Sequence, residues 1–357
     1  MADVRRRSHS TAGAARRFAG LERLLHGSPV RSASSGPAAG AAGCSSPAPV
    51  PGRTLPCLPG PVLAGAAGAS CAAGARCPRC LPRSSAGAAV PAAVSLELEL
   101  ADLASRIARE AGDLARTRRA EGVHLAATKS TIADIVTDAD REVELLIRER
   151  LRIARPGDGF LGEESEAERG ESGITWVVDP IDGTVNYAYG IPSYAVSIAA
   201  VRGSAVAGEW EALAAAVYAP ASAEMFTAAR GHGAFLGDAR LSVTTETSAG
   251  ALLATGFGYD PATHDGDLAT VRRIMPIARD LRRAGAASLD LAFVAAGRLD
   301  GYFERGLKPW DHAAGALLVT EAGGSVSLID RDSTRPMLIA GGIEVHRRVL
   351  EILRDET

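Results

Sequence analysis

The sequence predicts a layered α/β fold for residues 95–357. Some segments repeat apolar residues every three or four positions, which is typical of amphipathic helices, and others are short apolar runs typical of buried strands. The two kinds of segment mix without the strict strand–helix–strand alternation of a doubly wound sheet, and we find no internal repeat. We therefore expect packed layers of helices and sheets.

The helices are predicted by their apolar spacing. The first face consists of Leu96, Leu100, Leu103, Ile107, Ala111 and Leu114. A polar loop over residues 124–130 follows, and the second face consists of Val143, Leu146, Ile147 and Leu151, ending before Pro156. Further helices are expected at residues 268–275, 288–296, 313–321 and 345–354. Gly323 and Gly324 suit a left-handed cap after the third of these.

The strands are predicted from shorter apolar runs. Residues 176–178 form a buried strand that leads into Asp179, and residues 194–201 form another. Residues 224–229 and 233–236 predict a hairpin around residues 230–232. An acidic residue directly after a buried strand marks the end of that strand as a candidate site.

Residues 1–94 differ from the rest and are predicted to be a disordered extension before a single domain at residues 95–357. They contain eleven arginines, no lysine and only two acidic residues, Asp3 and Glu22. This Arg-, Ser- and Ala-rich composition is similar to that of an organelle transit peptide. Clusters of Pro, Gly and Ala without periodicity, up to Pro91, favour the alternative of an upstream stretch translated from a misassigned start.

Every cysteine of the chain lies in this extension, at Cys44, Cys57, Cys71, Cys77 and Cys80. Cys77 and Cys80 have the spacing of a zinc knuckle, but a zinc site needs a second such pair or nearby histidines, so a disordered tail is the favoured interpretation. Residues 95–357 contain no cysteine, which fits a reducing cytoplasm.

The charge distribution argues against some classes of binding partner. The chain carries a net charge of −3 although its extension is basic, so residues 95–357 are acidic. An acidic domain argues against a nucleic-acid surface. The sequence has no stretch of the roughly 20 apolar residues that a membrane span needs. We therefore expect neither a nucleic-acid nor a membrane partner.

Three acidic motifs carry the most chemical information. They are Gly162-Glu163-Glu164, residues 179–184 with the sequence DPIDGT, and Trp310-Asp311. Buried carboxylates are costly unless they are paired, and each motif lies at the edge of an apolar run, where folding can bring the charges together. Oxygen ligands in motifs without His or Cys suit a hard cation such as Mg²⁺.

The segment 179–184 offers cation ligands and an anion cradle side by side. Asp179 and Asp182 can face one point across a tight turn, with the Ile181 carbonyl as a third oxygen. Gly183 lets the backbone approach closely, and Thr184 is expected to open a helix whose unpaired amides favour phosphate. The ordinary alternative is an Asx-type turn followed by a helix cap.

The remaining polar positions have ordinary alternatives too. Glu163 could belong to a solvated charge run, and Asp311 could be only the N-cap of the following helix. Thr137 and Asp140 match a capping box at the start of the second helix. The functional alternative is that Asp140 orients a hydroxyl group, such as that of Thr184, which in turn positions a water.

Four stretches resemble, in the same order, the motifs of the inositol monophosphatase family of Mg²⁺-dependent, lithium-sensitive sugar phosphatases. They are residues 134–140 (DIVTDAD), 161–165 (LGEES), 176–186 (WVVDPIDGTVN) and 308–315 (KPWDHAAG). Residues 186–192 and 282–287 are most similar to the actinobacterial inositol-1-monophosphatase branch. The resemblance covers nearly all of residues 96–357 and leaves out the extension. It implies an αβαβα sandwich, a small sugar or polyol phosphate as substrate, and a homodimer.

The resemblance also implies roles for individual residues. The implied metal ligands are Glu163, Asp179, Asp182, Asp311 and the Ile181 carbonyl. The implied catalytic residues are Glu163, Thr184 and Asp140, with the Thr184 hydroxyl aligned by Asp140 and helping to activate the attacking water. The implied substrate contacts are the amides of Gly183 and Thr184 for phosphate, and Asp182, the Ala287 backbone and Glu304 for hydroxyl groups. Lys129 lies on a loop that the family uses near its site.

The implied reaction is hydrolysis of a phosphate monoester by in-line attack of a metal-activated water, without a phosphoenzyme. Inositol-1-phosphate is the first expected substrate, because Glu304 favours a polyol. Histidinol phosphate, fructose 1,6-bisphosphate and 3′-phosphoadenosine 5′-phosphate are the alternatives. A bisphosphate needs more basic residues near the site, for which Arg282, Arg283 and Arg305 are available. The alternative of another class is a regulatory binding partner of the transcription machinery.

Overall fold

The computed structural model describes residues 95–123, 125–128, 135–203, 209–245, 247, 249–330 and 333–354. The predictions for residues 1–94, for the five cysteines and for Lys129 lie outside the described residues. The α-helices of the described part are α1 (Leu96–Glu121), α2 (Asp138–Ala154), α3 (Thr184–Tyr189), α4 (His264–Ile274), α5 (Ala287–Ala295), α6 (Pro309–Glu321) and α7 (Ile343–Arg354).

The strands of the same part form one ribbon and two sheets. They are β1 (Leu125–Thr128), β2 (Ile135–Thr137), β3 (Gly159–Gly162), β4 (Ile174–Asp182), β5 (Ala195–Gly203), β6 (Trp210–Ala219), β7 (Glu224–Ala229), β8 (Gly233–Leu236), β9 (Ala239–Arg240), β10 (Ala251–Thr255), β11 (Ala278–Arg282), β12 (Gly301–Arg305), β13 (Ser325–Ile329) and β14 (Met337–Gly341). The first sheet has the order β3-β4-β5-β6-β7-β8-β9 and the second has the order β11-β10-β12-β14-β13. Parallel and antiparallel pairs occur in both, so the sheets are not doubly wound.

The helices and sheets stack as five layers. α1 and α2 cover one face of the seven-stranded sheet around Ile147 and Trp176. α5 and α6 fill the space between the two sheets around Leu291 and Leu318. α4 and α7 cover the outer face of the five-stranded sheet. This helix–sheet–helix–sheet–helix order confirms the predicted αβαβα sandwich.

Local sequence explains how the first layer begins. The Ser95 hydroxyl caps α1 by accepting a hydrogen bond from the Leu98 amide at 3.4 Å. α2 begins with the predicted capping box, in which Thr137 and Asp140 exchange hydrogen bonds between side chain and backbone. None of the described helices is long and apolar enough to cross a membrane.

One predicted loop is partly a strand. Residues 124–130 were expected to be a polar loop, but Leu125–Thr128 forms β1 and pairs antiparallel with β2, with Leu125 opposite Thr137. The loop prediction was wrong at these four positions because pairing in a two-stranded ribbon satisfies backbone groups without requiring an apolar pattern. The second strand of this ribbon, β2, ends at Thr137, which is the first residue of the capping box.

The strand β4 runs further than predicted. A tight turn was expected after Asp179, but the strand continues through Pro180 to Asp182. Asp179 lies opposite Ser197 and Asp182 opposite Ala195, so β4 carries one extra residue, which is a β-bulge. A bulge accepts proline because a ladder N–H is not required there. Both carboxylates therefore belong to the rigid end of the seven-stranded sheet.

Candidate active site

A cleft of about 500 Å³ lies where the end of β4 meets the first turns of α3, α5 and α6. Most of the predicted site residues line it, namely Glu163, Asp179, Ile181, Asp182, Gly183, Thr184, Ala287, Glu304 and Asp311. Asp140 lies behind Thr184 and is hydrogen-bonded to it. Folding thus brings the three acidic motifs into one cleft, as the sequence predicted.

Asp179 is the least exposed of the four carboxylates that were predicted to bind metal. Its side chain is 2% exposed, and one carboxylate oxygen accepts a hydrogen bond from the Ile181 amide at 3.1 Å. Burial raises the pKa of Asp179 well above its usual value, and the charges of Glu163, Asp182 and Asp311 raise it further. These four carboxylates are therefore close enough to repel one another when ionised.

Asp182 ties the end of the first sheet to α5. Its carboxylate accepts hydrogen bonds from the Ala287 amide at 3.2 Å, the Ser288 amide at 2.7 Å and the Ser288 hydroxyl at 2.5 Å. Burial raises the pKa of Asp182, and the hydrogen bonds from Ser288 oppose that rise. The Ala287 amide, which we expected to contact substrate, is thus held by Asp182. The role of Ser288 was not predicted from the sequence.

Asp311 is not the N-cap of α6. The helix begins at Pro309 with Lys308 as its cap residue, and the Asp311 carboxylate accepts a hydrogen bond from the Lys308 amide at 2.6 Å. The N-cap alternative was wrong because the helix starts earlier than residue 313, which places Asp311 in its first turn, at the third position. Burial is the largest cause that raises the pKa of Asp311 well above its usual value, followed by the charge of Asp182.

The neighbouring histidine takes no part in the cleft. His312 is buried and stacks on Trp210, with 5.9 Å between the ring centroids. Burial lowers its pKa to about 4, so the imidazole is neutral at neutral pH. Among the residues that the structure describes, the lining of the cleft includes no histidine.

Asp140, Thr137 and Thr184 form a hydrogen-bonded chain behind the cleft. One oxygen of the buried Asp140 carboxylate accepts from the Thr137 amide at 2.7 Å and the Thr137 hydroxyl at 2.5 Å. The other oxygen lies 3.2 Å from the Thr184 hydroxyl. Asp140 is therefore both a capping-box residue and the orienting group for Thr184, so the two alternatives are not exclusive. Burial is the main reason that the pKa of Asp140 rises to about 6.

The Ile181 carbonyl is less available than predicted. The Thr184 hydroxyl lies 3.1 Å from this oxygen, in addition to its contact with Asp140. A hydroxyl has one proton, so the two acceptors share it. The oxygen of the Thr184 hydroxyl can still accept a hydrogen bond, and Thr184 lines the cleft.

The other end of the cleft contains two carboxyl groups on α5 and β12. The Tyr302 hydroxyl donates a hydrogen bond to Glu304, and burial raises the pKa of Glu304 to about 7. Asp290 is 2% exposed, and burial raises its pKa to about 8, with the charges of Asp182 and Glu304 adding to the rise. Sequence reasoning missed Asp290 as a site residue. The available signal was a single acid in the otherwise apolar run 288–296.

The basic side chains at the cleft are mostly committed elsewhere. Arg335 lines the cleft but donates to both oxygens of Asp267, at 3.1 and 2.9 Å. Arg305 pairs with Asp330 at 2.7 Å. Arg283 also lines the cleft, whereas Arg282 is not among the lining residues and pairs with Asp280. The extra basic groups that a bisphosphate needs are therefore limited mainly to Arg283 and Lys308.

The residues of the cleft fit a divalent cation. Buried carboxylates that repel one another are stabilised when a cation joins them, and an all-oxygen donor set suits a hard ion. As the side chains stand, no group of three or more His, Cys, Asp or Glu among the described residues is arranged to hold a metal ion. Each buried Asp instead turns an oxygen toward a protein donor. The fit therefore rests on burial, mutual repulsion and donor chemistry.

The family follows from a sequence comparison. The sequence model of the inositol monophosphatase family matches residues 97–354. The chain belongs to the inositol monophosphatase family. The resemblance inferred from the four motifs is thereby confirmed, and the protein is a phosphoric monoester hydrolase.

Curated members of the family support this assignment at the level of whole sequences. The inositol-1-monophosphatase of Rhizobium meliloti is 48% identical over 195 residues, which are 54% of this chain and 71% of that protein. The inositol-1-monophosphatase of Mycobacterium bovis is 44% identical over 249 residues, 64% of this chain and 83% of that protein. The relative from Escherichia coli K12 named Nus factor SuhB is 40% identical over 261 residues, 71% of this chain and 96% of that protein.

A solved structure agrees with the fold. The extragenic suppressor protein suhB from Bartonella henselae is 36% identical to this chain and aligns with a TM-score of 0.65. The alignment covers 72% of this chain and 100% of that structure. The layered sandwich of this inositol monophosphatase family member is therefore shared with a solved relative.

Proposed function

We propose that this family member is an Mg²⁺-dependent phosphatase that hydrolyses inositol-1-phosphate to inositol and phosphate. The observation that carries the proposal is the convergence of four carboxylates and the Thr184–Asp140 pair in one cleft. The relatives from Rhizobium meliloti and Mycobacterium bovis are both named inositol-1-monophosphatase, and Glu304, which lines the cleft, suits a polyol.

In this proposal the carboxylates hold the cation. The ligands are Glu163, Asp179, Asp182, Asp311 and the Ile181 carbonyl. Bound Mg²⁺ lowers the pKa of a water ligand and neutralises charge on phosphate oxygens. The like charges that destabilise the buried carboxylates become favourable once a divalent ion joins them.

The phosphate and the attacking water are placed by residues 183 and 184. Gly183 has φ +90°, a left-handed conformation that glycine adopts without strain, and both Gly183 and Thr184 line the cleft at the start of α3. In the proposal the amides of these two residues hold the phosphate. The Thr184 hydroxyl donates a hydrogen bond to Asp140 or to the Ile181 carbonyl, so its oxygen can accept a hydrogen bond from the attacking water. In the proposed step the proton of that water passes to the Thr184 oxygen while the Thr184 proton passes to the Asp140 carboxylate. Asp140 thus positions the general-base partner, and Glu163 completes the catalytic set.

Phosphate release by the full chain tests this function. Inositol-1-phosphate, histidinol phosphate, fructose 1,6-bisphosphate and 3′-phosphoadenosine 5′-phosphate are compared with and without Mg²⁺, and with added Li⁺. We expect Mg²⁺-dependent, Li⁺-inhibited turnover that is fastest on inositol-1-phosphate. Faster turnover of one of the other esters would keep the reaction and replace the substrate.

A regulatory role is the second candidate. One relative is named Nus factor SuhB, which favours testing the predicted association with the transcription machinery. RNA polymerase should copurify with the tagged chain from its host if this role exists. An Asp311→Asn variant that lacks turnover but still copurifies with polymerase would separate binding from catalysis.

Three further predictions accompany the proposal. The chain is proposed to form a homodimer, which light scattering after gel filtration measures directly. A cytoplasmic location is proposed because residues 95–357 contain no cysteine. Residues 1–94 are proposed to be dispensable, and a variant starting at residue 95 with full turnover would support that division of the chain.

A further inference from the structure

Asp290 is a buried acid for which the proposed reaction has no use. Its side chain is 2% exposed and lines the cleft. Within the described residues its carboxyl group forms neither a hydrogen bond nor an ion pair. Buried polar groups in proteins are nearly always hydrogen-bonded, because an unpaired one costs the full free energy of desolvation. An unpaired carboxyl group that faces a cleft therefore points to a ligand.

The surroundings of Asp290 show which part of a ligand it faces. Its position in the first turn of α5 is separate from the bulge of β4 that places Asp179. Charges at Asp182 and Glu304 act on it to raise its pKa, and the charge of Arg283 acts to lower it. Asp290 thus lies within electrostatic reach of Asp182 and Glu304, two residues that are expected to contact the hydroxyl groups of a polyol.

Glu304 alone cannot account for recognition of a polyol. One of its oxygens accepts the hydrogen bond from Tyr302. The carboxylate also packs against Gly256 so closely that a Cβ atom on residue 256 would overlap it. Glu304 is therefore held in one place with part of its acceptor capacity used. The other two expected hydroxyl contacts, Asp182 and the Ala287 amide, are hydrogen-bonded within the protein, whereas Asp290 has no hydrogen-bond partner among the described residues.

We infer that Asp290 and Glu304 together bind neighbouring hydroxyl groups of the alcohol that leaves from phosphate. The inference deepens the proposed function and rests on it, because the substrate must enter the same cleft. A hydroxyl group can donate to a carboxylate or accept from a carboxylic acid, so it matches Asp290 in either protonation state.

Matched substrates test this inference. Cyclohexyl phosphate has the carbon ring of inositol-1-phosphate without the other hydroxyl groups. For the Asp290→Leu variant, kcat/KM for inositol-1-phosphate should fall about tenfold more than kcat/KM for cyclohexyl phosphate, which is the effect of one lost hydrogen bond of about 1.4 kcal/mol. The Asp290→Asn variant, whose amide can still bond to hydroxyl groups, should lose less. Asp260→Asn, a charge change at the exposed rim, is the control and should leave the ratio unchanged.

The possible outcomes distinguish failure of the inference about Asp290 from failure of the proposed phosphatase function. Equal losses on both substrates would overturn the inference, because Asp290 would then act through folding or metal binding. No loss on either substrate would overturn it as well. If the wild-type chain hydrolyses both esters equally, hydroxyl recognition fails although phosphatase activity stands. If it hydrolyses neither ester in Mg²⁺, the proposed function fails, and the inference fails with it.

Discussion

The Ser288 hydroxyl donates a 2.5 Å hydrogen bond to the carboxylate of Asp182. The Ser288 amide reaches the same oxygen at 2.7 Å. Asp182 ends β4 of the seven-stranded sheet, and Ser288 lies in the first turn of α5, the helix between the sheets. One side-chain contact therefore sets the orientation of a proposed metal ligand against the neighbouring layer.

Replacing Ser288 should weaken metal binding more than it weakens the fold. Ser288→Ala removes the shortest of three hydrogen bonds to Asp182 and leaves the two amide donors, so the carboxylate is held less firmly. We expect about tenfold weaker Mg²⁺ binding, or about 1.4 kcal/mol. Isothermal titration of Mg²⁺ measures this without substrate. Thr270→Val is the control, because it removes a buried hydroxyl that bonds only within α4. Equal affinities in wild type and Ser288→Ala would contradict the positioning role.

Two substitutions at Asp311 should separate catalysis from helix capping. Asp311→Asn keeps an oxygen to accept from the Lys308 amide, so it should abolish turnover with little change in Tm. Asp311→Ala loses the cap as well, at a cost of about 1 kcal/mol, which is a Tm decrease of about 2–4 °C for a domain of this size. Thermal unfolding and phosphate release are measured on both variants. Substantial turnover by Asp311→Asn would contradict the assignment of Asp311 as a ligand.

The sequence predicted which acids meet, but not how they are held. The motifs around Glu163, Asp179 and Asp311 each follow from residue type and local pattern, because strand ends and helix starts are local features. The bulge at Pro180 depends on pairing with β5, which lies in a later segment. The same limit explains why Ser288 was missed, since its partner is 106 residues away in the chain.

The capping alternatives show a second limit of sequence reasoning. Asp140 was weighed either as the capping-box partner of Thr137 or as the group that orients the Thr184 hydroxyl. The structure shows both contacts, with one Asp140 oxygen for each. Asp290 is the single acid in the apolar helix that was predicted at residues 288–296. A sequence pattern places it on α5 but does not show that the cleft passes beside that turn.

Metal removal should make the stability of the protein depend on pH. Burial raises the pKa of Asp140 to about 6, Glu304 to about 7 and Asp290 to about 8, above their values near 4 in an unfolded chain. The folded state therefore binds more protons than the unfolded state between pH 5 and 8, so its free energy of unfolding decreases as pH rises through this window. In a chelator, the Tm should fall from pH 5 to pH 8.

Added Mg²⁺ should oppose this decrease. The cation competes with protons for the proposed ligands Asp179, Asp182 and Asp311, whose pKa values burial also raises, so it should raise the Tm more at pH 8 than at pH 5. The surface acids whose pKa is lowered by arginine partners, such as Glu142 and Glu224, are ionised throughout this window and leave the trend unchanged. The Asp311→Asn variant should show a smaller Mg²⁺ effect. A rise in the Tm of the chelated protein between pH 5 and 8 would contradict the burial of these acids.

A methyl group at Gly256 should displace Glu304 without straining the backbone. A Cβ at this position would overlap both oxygens of the Glu304 carboxylate, and the backbone of Gly256 is not in the left-handed region that alanine avoids. Gly256→Ala should therefore raise KM for inositol-1-phosphate several-fold while the Tm changes little. Gly266→Ala is the control, since a Cβ there meets no atom within 4 Å and α4 gains a better helix former. An unchanged KM in Gly256→Ala would show that the position of Glu304 does not set substrate affinity.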